Sequence, residues 1–506
     1  MDLFVKPEAF RPLTTIARFL ADEGIPAYLV GGSVRDILLG RDTGDIDIAV
    51  GADALEVTRR VAGTLDGHYV PLDAENGTGR VVLFPGDAGT LNIDFSTLRS
   101  DIEYDLSQRD FTINAMAVKL DKYFTSGFDT DSVIDPFGGR EDLRRRLIRA
   151  IGDDIFRSDA VRLLRAVRIA AELDFDIQND TEKQITRDCR LITGIAGERT
   201  REELLRTLAL PGAGQRLAYM DSLGLLTVLI PELVPARGID QPKIHFWDVF
   251  DHSIETVSTL EFILREKPWE YAGEDVLSPV PWSDELKSHF DGAVGSGSTR
   301  RSLLKLAALL HDIAKPRTRT IDEDGRARFL GHSQEGSATA STIMERLRFS
   351  NKETKHVELL ISQHLRPTQM SHEGLPSNRA VYRLFRDTGD AYIDLLYLCL
   401  ADHLATRGPE LDPVQWREHV ELTEYVLNAH REQVALSAPP KLLDGHDLMR
   451  EFDLEPGPGI GEILESLREA QAAGEVATRQ EALDFVKRFL EDNPRILAGT
   501  TRRKKQ

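Results

Sequence analysis

The sequence predicts a mixed α/β head followed by an all-helical neck, body and tail. Three observations predict it. Short apolar or alternating runs at 28–30, 45–48, 68–72, 79–84 and 91–96 read as strands, with a helical stretch at 54–65 among them. Beyond the first 150 residues the readable segments have helical spacing instead. The chain has 506 residues, 41% of them hydrophobic, which is enough for several domains with cores of their own.

In chain order, 1–27 reads as a leading helix, with Ile16, Phe19 and Leu20 on one face and Gly24 as its stop. Tyr28, Leu29 and Val30 then form a short buried strand, and Gly31-Gly32-Ser33 turns the chain. Two glycines let the backbone pass close to a bound group with no Cβ in the way. A helical turn or two follows at 34–39, ended by Gly40. The N–H groups at its start suit a phosphate, and Arg35 adds a planar positive fork beside them. Asp45-Ile46-Asp47-Ile48 alternates, so both carboxylates share one face while the isoleucines enter the core. Two carboxylates just after a phosphate-cradling turn suit Mg²⁺ carrying a nucleoside triphosphate. Asp94, between Ile93 and Phe95, faces away from the core on a later strand.

Residues 107–117, SQRDFTINAMA, read by themselves as a capped amphipathic helix start. Pro136, Gly138 and Gly139 make a turn. Between 140 and 168, nine arginines stand against five acids, a local positive footprint for phosphates in a chain of net charge −20. Within it Asp159, Arg162, Arg165 and Arg168 recur every third residue, which predicts a polar stripe on one helix.

GGSVRDILLG followed by GDIDIA resembles the signature of the class II tRNA nucleotidyltransferases, the CCA-adding enzymes, and of the related bacterial poly(A) polymerases. With its later motifs the resemblance spans the first 240 residues. It implies catalytic carboxylates at Asp45, Asp47 and Asp94, the first two holding Mg²⁺. It also implies that Gly31, Gly32, Arg35, Arg109, Asp110 and Asn114 hold the triphosphate and sugar. Gln108 replaces the first arginine of the family's second motif, and 134–149 resembles its third. The family's Glu-Asp-x-x-Arg motif falls on Ser158, Asp159 and Arg162, with Ser158 in place of the Glu. Asp159 and Arg162 would read the base edges of CTP and ATP in place of a template. Arg165 and Arg168 would neutralise phosphates. GERTREEL at 197–204 resembles the fifth motif, the start of a neck helix. The implied reaction adds CMP and AMP to the 3′ end of tRNA. A poly(A) polymerase, a CC- or A-adding enzyme, and a phosphohydrolase with an RNA-binding head are the alternatives.

A second constellation begins at His252. It continues through His311-Asp312 in LLHDIAK, His332, His364 and Asp402. The order His…His-Asp…Asp on helices resembles the HD metal-dependent phosphohydrolase domain. That implies a divalent metal on His252, His311, Asp312 and Asp402, or a retained fold with a dead site. A Pro/Gly/Ser-rich insertion at 266–299 is predicted to be a mobile loop. The expected domains are a head at 1–150, a neck at 151–240, an HD body at 241–437 and a helical tail at 438–506. Pro456-Gly457-Pro458-Gly459 is read as a turn before a helix, and the basic end Arg502–Lys505 as a tail that could touch RNA. Cys189 and Cys399 give no disulfide framework, and neither a signal-peptide pattern nor a membrane-length apolar run is present. A cytoplasmic setting is expected.

Overall fold

Six strands form one mixed sheet in the order β3-β4-β5-β2-β1-β6. They are β1 Ala27–Val30, β2 Asp45–Val50, β3 His68–Asp73, β4 Thr78–Leu83, β5 Leu91–Thr97 and β6 Ala117–Lys119. The computed structural model describes residues 7–41, 45–74, 77–84, 90–121, 130–242, 244–295, 297–370, 374–435 and 441–496. The basic end at 502–505 lies outside them. Among the described strands of this sheet only β2 and β5 pair in parallel, with Asp45 opposite Asn92 and Asp47 opposite Asp94. The connection between them runs through the helix Ala54–Thr64 and the β3–β4 hairpin. Asp53 starts that helix by accepting from the Leu55 and Glu56 N–H groups. Ile46, Ile48, Ile93 and Phe95 are fully buried, so the alternation read in the sequence sets the inner face of the sheet.

The leading helix is Pro7–Asp22, and Gly24 leaves it at φ +67°. Residues 107–117 do not start a helix. A helix at Ile102–Ser107 ends there, and Thr112–Asn114 forms a single tight turn whose side chains are all buried. Burial of Phe111, Thr112 and Ile113 overrides the local helical propensity.

The chain divides into two compact units. One is Met1–Thr207 with Tyr219–Leu229, the other Leu208–Ala218 with Ile230–Gln506. After the head the first unit is helical except for a two-residue parallel pair, Leu147–Ile148 with Asp176–Ile177. The second unit is helical with two small hairpins, Ala293–Gly295 with Ser298–Thr299 and Thr320–Ile321 with Ala327–Arg328.

The insertion at 266–299 is folded, which corrects the mobile loop expected there. Its helix Asp284–Asp291 buries Leu286 and Phe290. Phe290 stacks on Trp282 and meets the Tyr397 ring edge-on at 4.9 Å. His289 and Arg300 both reach the fully buried Asp394, at 2.8 and 2.9 Å. Four aromatic or aliphatic anchors (Trp269, Val280, Leu286, Phe290) outweigh the breaker residues that suggested a loop. In the tail Gly457 precedes the helix Pro458–Ala472, and Ile463, Leu467, Val486 and Leu490 make a core of their own.

Candidate active site and metal centre

The head site is assembled by the sheet. Asp47 and Asp94 are direct neighbours on parallel strands, so both side chains lie on one face, and both are partly exposed. Asp45 occupies β2 two residues earlier, and only its backbone is described. Gly31 passes beside them at φ +71°. A Cβ built there would sit 2.6 Å from Arg109 Nη1 and 3.0 Å from Asp47 Oδ2. The cradle therefore depends on the missing Cβ, and a carboxylate and a guanidinium converge on it. That donor set suits Mg²⁺ on the carboxylates with a triphosphate oxygen against the arginine.

The other predicted head residues are joined by hydrogen bonds. Arg35 donates Nε and Nη2 to Asp36 and Nη1 to Asn114 Oδ1 at 2.8 Å. Its guanidinium lies beside Gly32. The Asn114 amide donates to Asp110 Oδ1 at 2.9 Å, and Arg165 Nη1 reaches Asp110 Oδ2 at 3.4 Å. Burial would raise the Asp110 carboxyl, but Arg165, the Asn114 amide, the Phe111 N–H and Arg162 outweigh it and hold it below the ordinary value.

Asp159 does not belong to the predicted stripe. The helix begins at Val161, and Asp159 stands before it in extended backbone. There its Oδ1 accepts from the Val161 N–H and its Oδ2 from Arg199 Nη2 at 2.8 Å. Arg162 donates to Ser158 Oγ at 3.2 Å and to the Gln108 carbonyl at 2.8 Å. Both departures from the family's motifs thus lie against Arg162, and the Gln108 contact uses only backbone. Arg168 differs from its neighbours: it is 7% exposed, and Glu203 and Glu172 take it up at 2.5 and 2.7 Å. Its geometry is that of an internal ion pair, in place of the phosphate contact expected of it.

Sequence reasoning missed Arg80 and Glu203. Arg80 lies opposite Asp94 across β4 and β5 and grips it through two hydrogen bonds, Nε to Oδ1 at 2.6 Å and Nη2 to Oδ2 at 2.8 Å. Glu203, buried on the helix Gly197–Ala209, joins Arg165 to Arg168. The GERTREEL motif carried the signal for Glu203. Nothing local marked Arg80, because its role depends on strand register.

In the second unit the predicted ligands converge from three helices. His252 Nε2 is 3.2 Å from His311 Nε2, 3.4 Å from Asp312 Oδ2 and 3.1 Å from Asp402 Oδ1. His332 and His364 complete the cluster on the other side of Asp312, at 3.4 and 3.9 Å from Oδ1. Two groups able to hold a metal result, His252-His311-Asp312 and Asp312-His332-His364, and Asp312 is common to both. Backbone carbonyls fix the rings: Ala308 O, Phe329 O and Ile361 O accept from Nδ1 of His311, His332 and His364 and leave each Nε2 facing inward. Both Asp312 oxygens are buried without a well-aligned hydrogen-bond donor, although Lys315 Nζ approaches Oδ2 to 2.5 Å. Burial would depress His311, yet Asp312 and Asp402 lift it to about 10. Carboxylates and imidazoles from several helices facing one another make a donor set that fits a divalent metal. It opens on a cavity of about 1370 Å³ whose lining includes Lys315, Arg326, Arg328 and His245.

Comparison with known proteins places the chain in a family. The chain is 35% identical to the A-adding tRNA nucleotidyltransferase of Deinococcus radiodurans over 92% of its own length and 96% of the relative's. It belongs to the tRNA nucleotidyltransferase family. The CC-adding tRNA nucleotidyltransferase of Thermus thermophilus is 34% identical over 91% of this chain and 93% of its own. Family models match in sequence order: "Poly A polymerase head domain" at 27–149, "Probable RNA and SrmB- binding site of polymerase A" at 174–237 and the HD domain at 249–407. The model described as "tRNA nucleotidyltransferase domain 2 putative" matches at 424–486. The fold matches a Thermotoga maritima CCA-adding enzyme solved with tRNA, with a TM-score of 0.59 and 22% identity over 97% of this chain and 100% of that one. This nucleotidyltransferase has no helix, among its described residues, long and apolar enough to cross a membrane.

Proposed function

We propose that this nucleotidyltransferase adds CMP and AMP to the 3′ end of tRNA without a template, taking CTP and ATP. The observation that carries the reading is the parallel pairing of Asp47 with Asp94 beside the Gly31 cradle. Asp45 and Asp47 would hold Mg²⁺, which when bound would neutralise triphosphate charge and acidify the attacking 3′-hydroxyl. Asp94 completes the acidic face. Gly31, Gly32, Arg35 and Arg109 orient the triphosphate, and Asp110 and Asn114 place the sugar. Asp159 and Arg162 read the base edge, while Arg165, held between Asp110 and Glu203, ties that reading to the sugar site. The division into head, neck, HD body and tail at 150, 240 and 437 belongs to the same proposal.

A narrower reading is favoured by one observation. Three relatives above 30% identity that match more than nine-tenths of the chain carry the printed names A-adding and CC-adding. The chain would then supply one share of the CCA end, either the two cytidines or the adenosine. Purified protein given tRNAs ending before the first C, before the second C and before A, with each nucleotide separately, decides between the readings. Extension of all three substrates supports complete CCA addition. Extension of the last alone, with ATP, makes it an A-adding enzyme. Failure on all three with active RNA polyadenylation would overturn both.

The HD cluster supports a second activity on a phosphate ester. Four histidines around Asp312, with Asp402, suit a metal pair that would supply an activated water there. A 2′,3′-cyclic phosphate or 2′-phosphate on a damaged RNA end is the proposed substrate, with Lys315 and the arginines of the cavity to receive its charge.

A further inference from the structure

Three strands present three charged residues in one row: Arg80 on β4, Asp94 on β5 and Asp47 on β2. The register puts Arg80 directly opposite Asp94, and Asp94 directly opposite Asp47. The Arg80 fork takes both Asp94 oxygens, one per nitrogen, at 2.6 and 2.8 Å. Both side chains are partly shielded, at 32% and 24% exposure, so the pair is not a loose surface contact.

We propose that Arg80 occupies Asp94 in place of metal until a nucleotide triphosphate arrives, which makes metal loading of the head depend on the nucleotide. This rests on the two-metal reading of the head given above and adds the order of loading to it.

The argument is one of charge and of lone pairs. A guanidinium that grips a carboxylate side-on uses the inner lone pair of each oxygen, the same pairs that a divalent cation prefers. A metal approaching Asp94 must detach one arm of the fork or accept a poorer direction. Arg80 also cancels the charge of Asp94, so free Mg²⁺ meets a weaker field than three bare carboxylates would create. A triphosphate reverses this balance. It brings its own negative oxygens to the metal, and it offers the Arg80 guanidinium other anionic partners when the fork opens. An empty head would therefore bind metal weakly, and the metal would enter with the nucleotide.

The test must separate head metal from HD metal in the full chain. Ferrous ion replaces Mg²⁺, and ascorbate with peroxide then cuts the backbone beside bound iron, so fragment sizes report each site. Cuts near 45–47 and 94 report the head, and cuts near 311–312 and 402 report the HD cluster. In the wild type, head fragments should appear only when a non-hydrolysable CTP or ATP analogue is present. In Arg80→Met they should appear without nucleotide, at about tenfold lower Fe²⁺, the size expected for removing one neighbouring charge in a half-exposed site. Arg80→Lys, which keeps the charge and loses the fork, should fall between. HD fragments should not change, and unaltered thermal melting excludes misfolding. Identical Fe²⁺ requirements in wild type and Arg80→Met, with head fragments present when nucleotide is added, would overturn the Arg80 proposal and leave the two-metal reading standing. Absence of head fragments in every protein, even with nucleotide, would overturn both.

Discussion

Gly31 holds a steric constraint inside the candidate site of the head. Its φ of +71° and ψ of −139° suit glycine alone, and a Cβ would strike Arg109 and Asp47. Gly31→Ala should cost about 1–3 kcal/mol from the backbone alone, read as a lowered denaturation midpoint. Nucleotide addition should fall at least hundredfold, because the displaced atoms are those of the site. Base choice is a separate matter at this scale. Asp159→Ala or Arg162→Ala should erode discrimination against UTP and GTP by roughly ten- to hundredfold, the loss of about 1–3 kcal/mol from one polar partner. Competition assays read this directly, and unaltered selectivity would show that the two residues only brace the helix start. Much of this was legible in the sequence: GGSVRDILLG and DIDIA mark Gly31, Arg35 and Asp47 by local order. What was not legible is partnership across strands and helices. Arg80 reads as any strand arginine until β4 and β5 are set in register. Arg168 shares its spacing with Arg165, yet burial under Glu203 gives it a different task.

Among the elements, the segment at 266–299 shows where composition misleads. Its glycines, prolines and serines suggested a loop, but Trp269, Val280, Leu286 and Phe290 anchor it in the second unit. Breaker residues limit helix length without preventing short helices from packing through a few large side chains. Phe290→Ala should therefore destabilise by about 3–5 kcal/mol, as removal of a fully buried aromatic does. Limited proteolysis should then cut within the segment in the variant and spare it in the wild type. Equal cleavage of both would show that the packing is weak. The helix Tyr392–Arg407 links this packing to the His/Asp cluster, since it carries Asp394 at the anchored end and Asp402 two turns later beside His252. The sequence puts His332 and His364 in the constellation but not among the expected ligands, and their convergence on Asp312 emerges only in the fold, because each sits at the terminus of a different helix.

For the molecule as a whole, the two proposed chemistries would use separate residues, so they should separate by mutation. Asp312→Ala should abolish phosphoester hydrolysis with Mg²⁺, Mn²⁺, Ni²⁺ or Co²⁺ and keep nucleotide addition within about twofold. Asp47→Ala should do the reverse, with tRNA affinity largely retained because the metals serve the chemical step. Loss of both activities in either variant would contradict the assignment. The order of the two units along the chain has a consequence for synthesis. Leu208–Ala218 belongs to the second unit although first-unit residues precede and follow it. The N–H groups of Gly212, Ala213 and Gly214 donate to the buried Glu261, which Lys305 neutralises at 2.8 Å. On the ribosome those three donors emerge well before their acceptor, and the acceptor emerges before its counter-ion. A gene cut after codon 229 would encode every residue of the first unit together with a segment whose partners are never translated. Neither unit corresponds to one uninterrupted stretch of coding sequence, and the two are inherited as a single folding message.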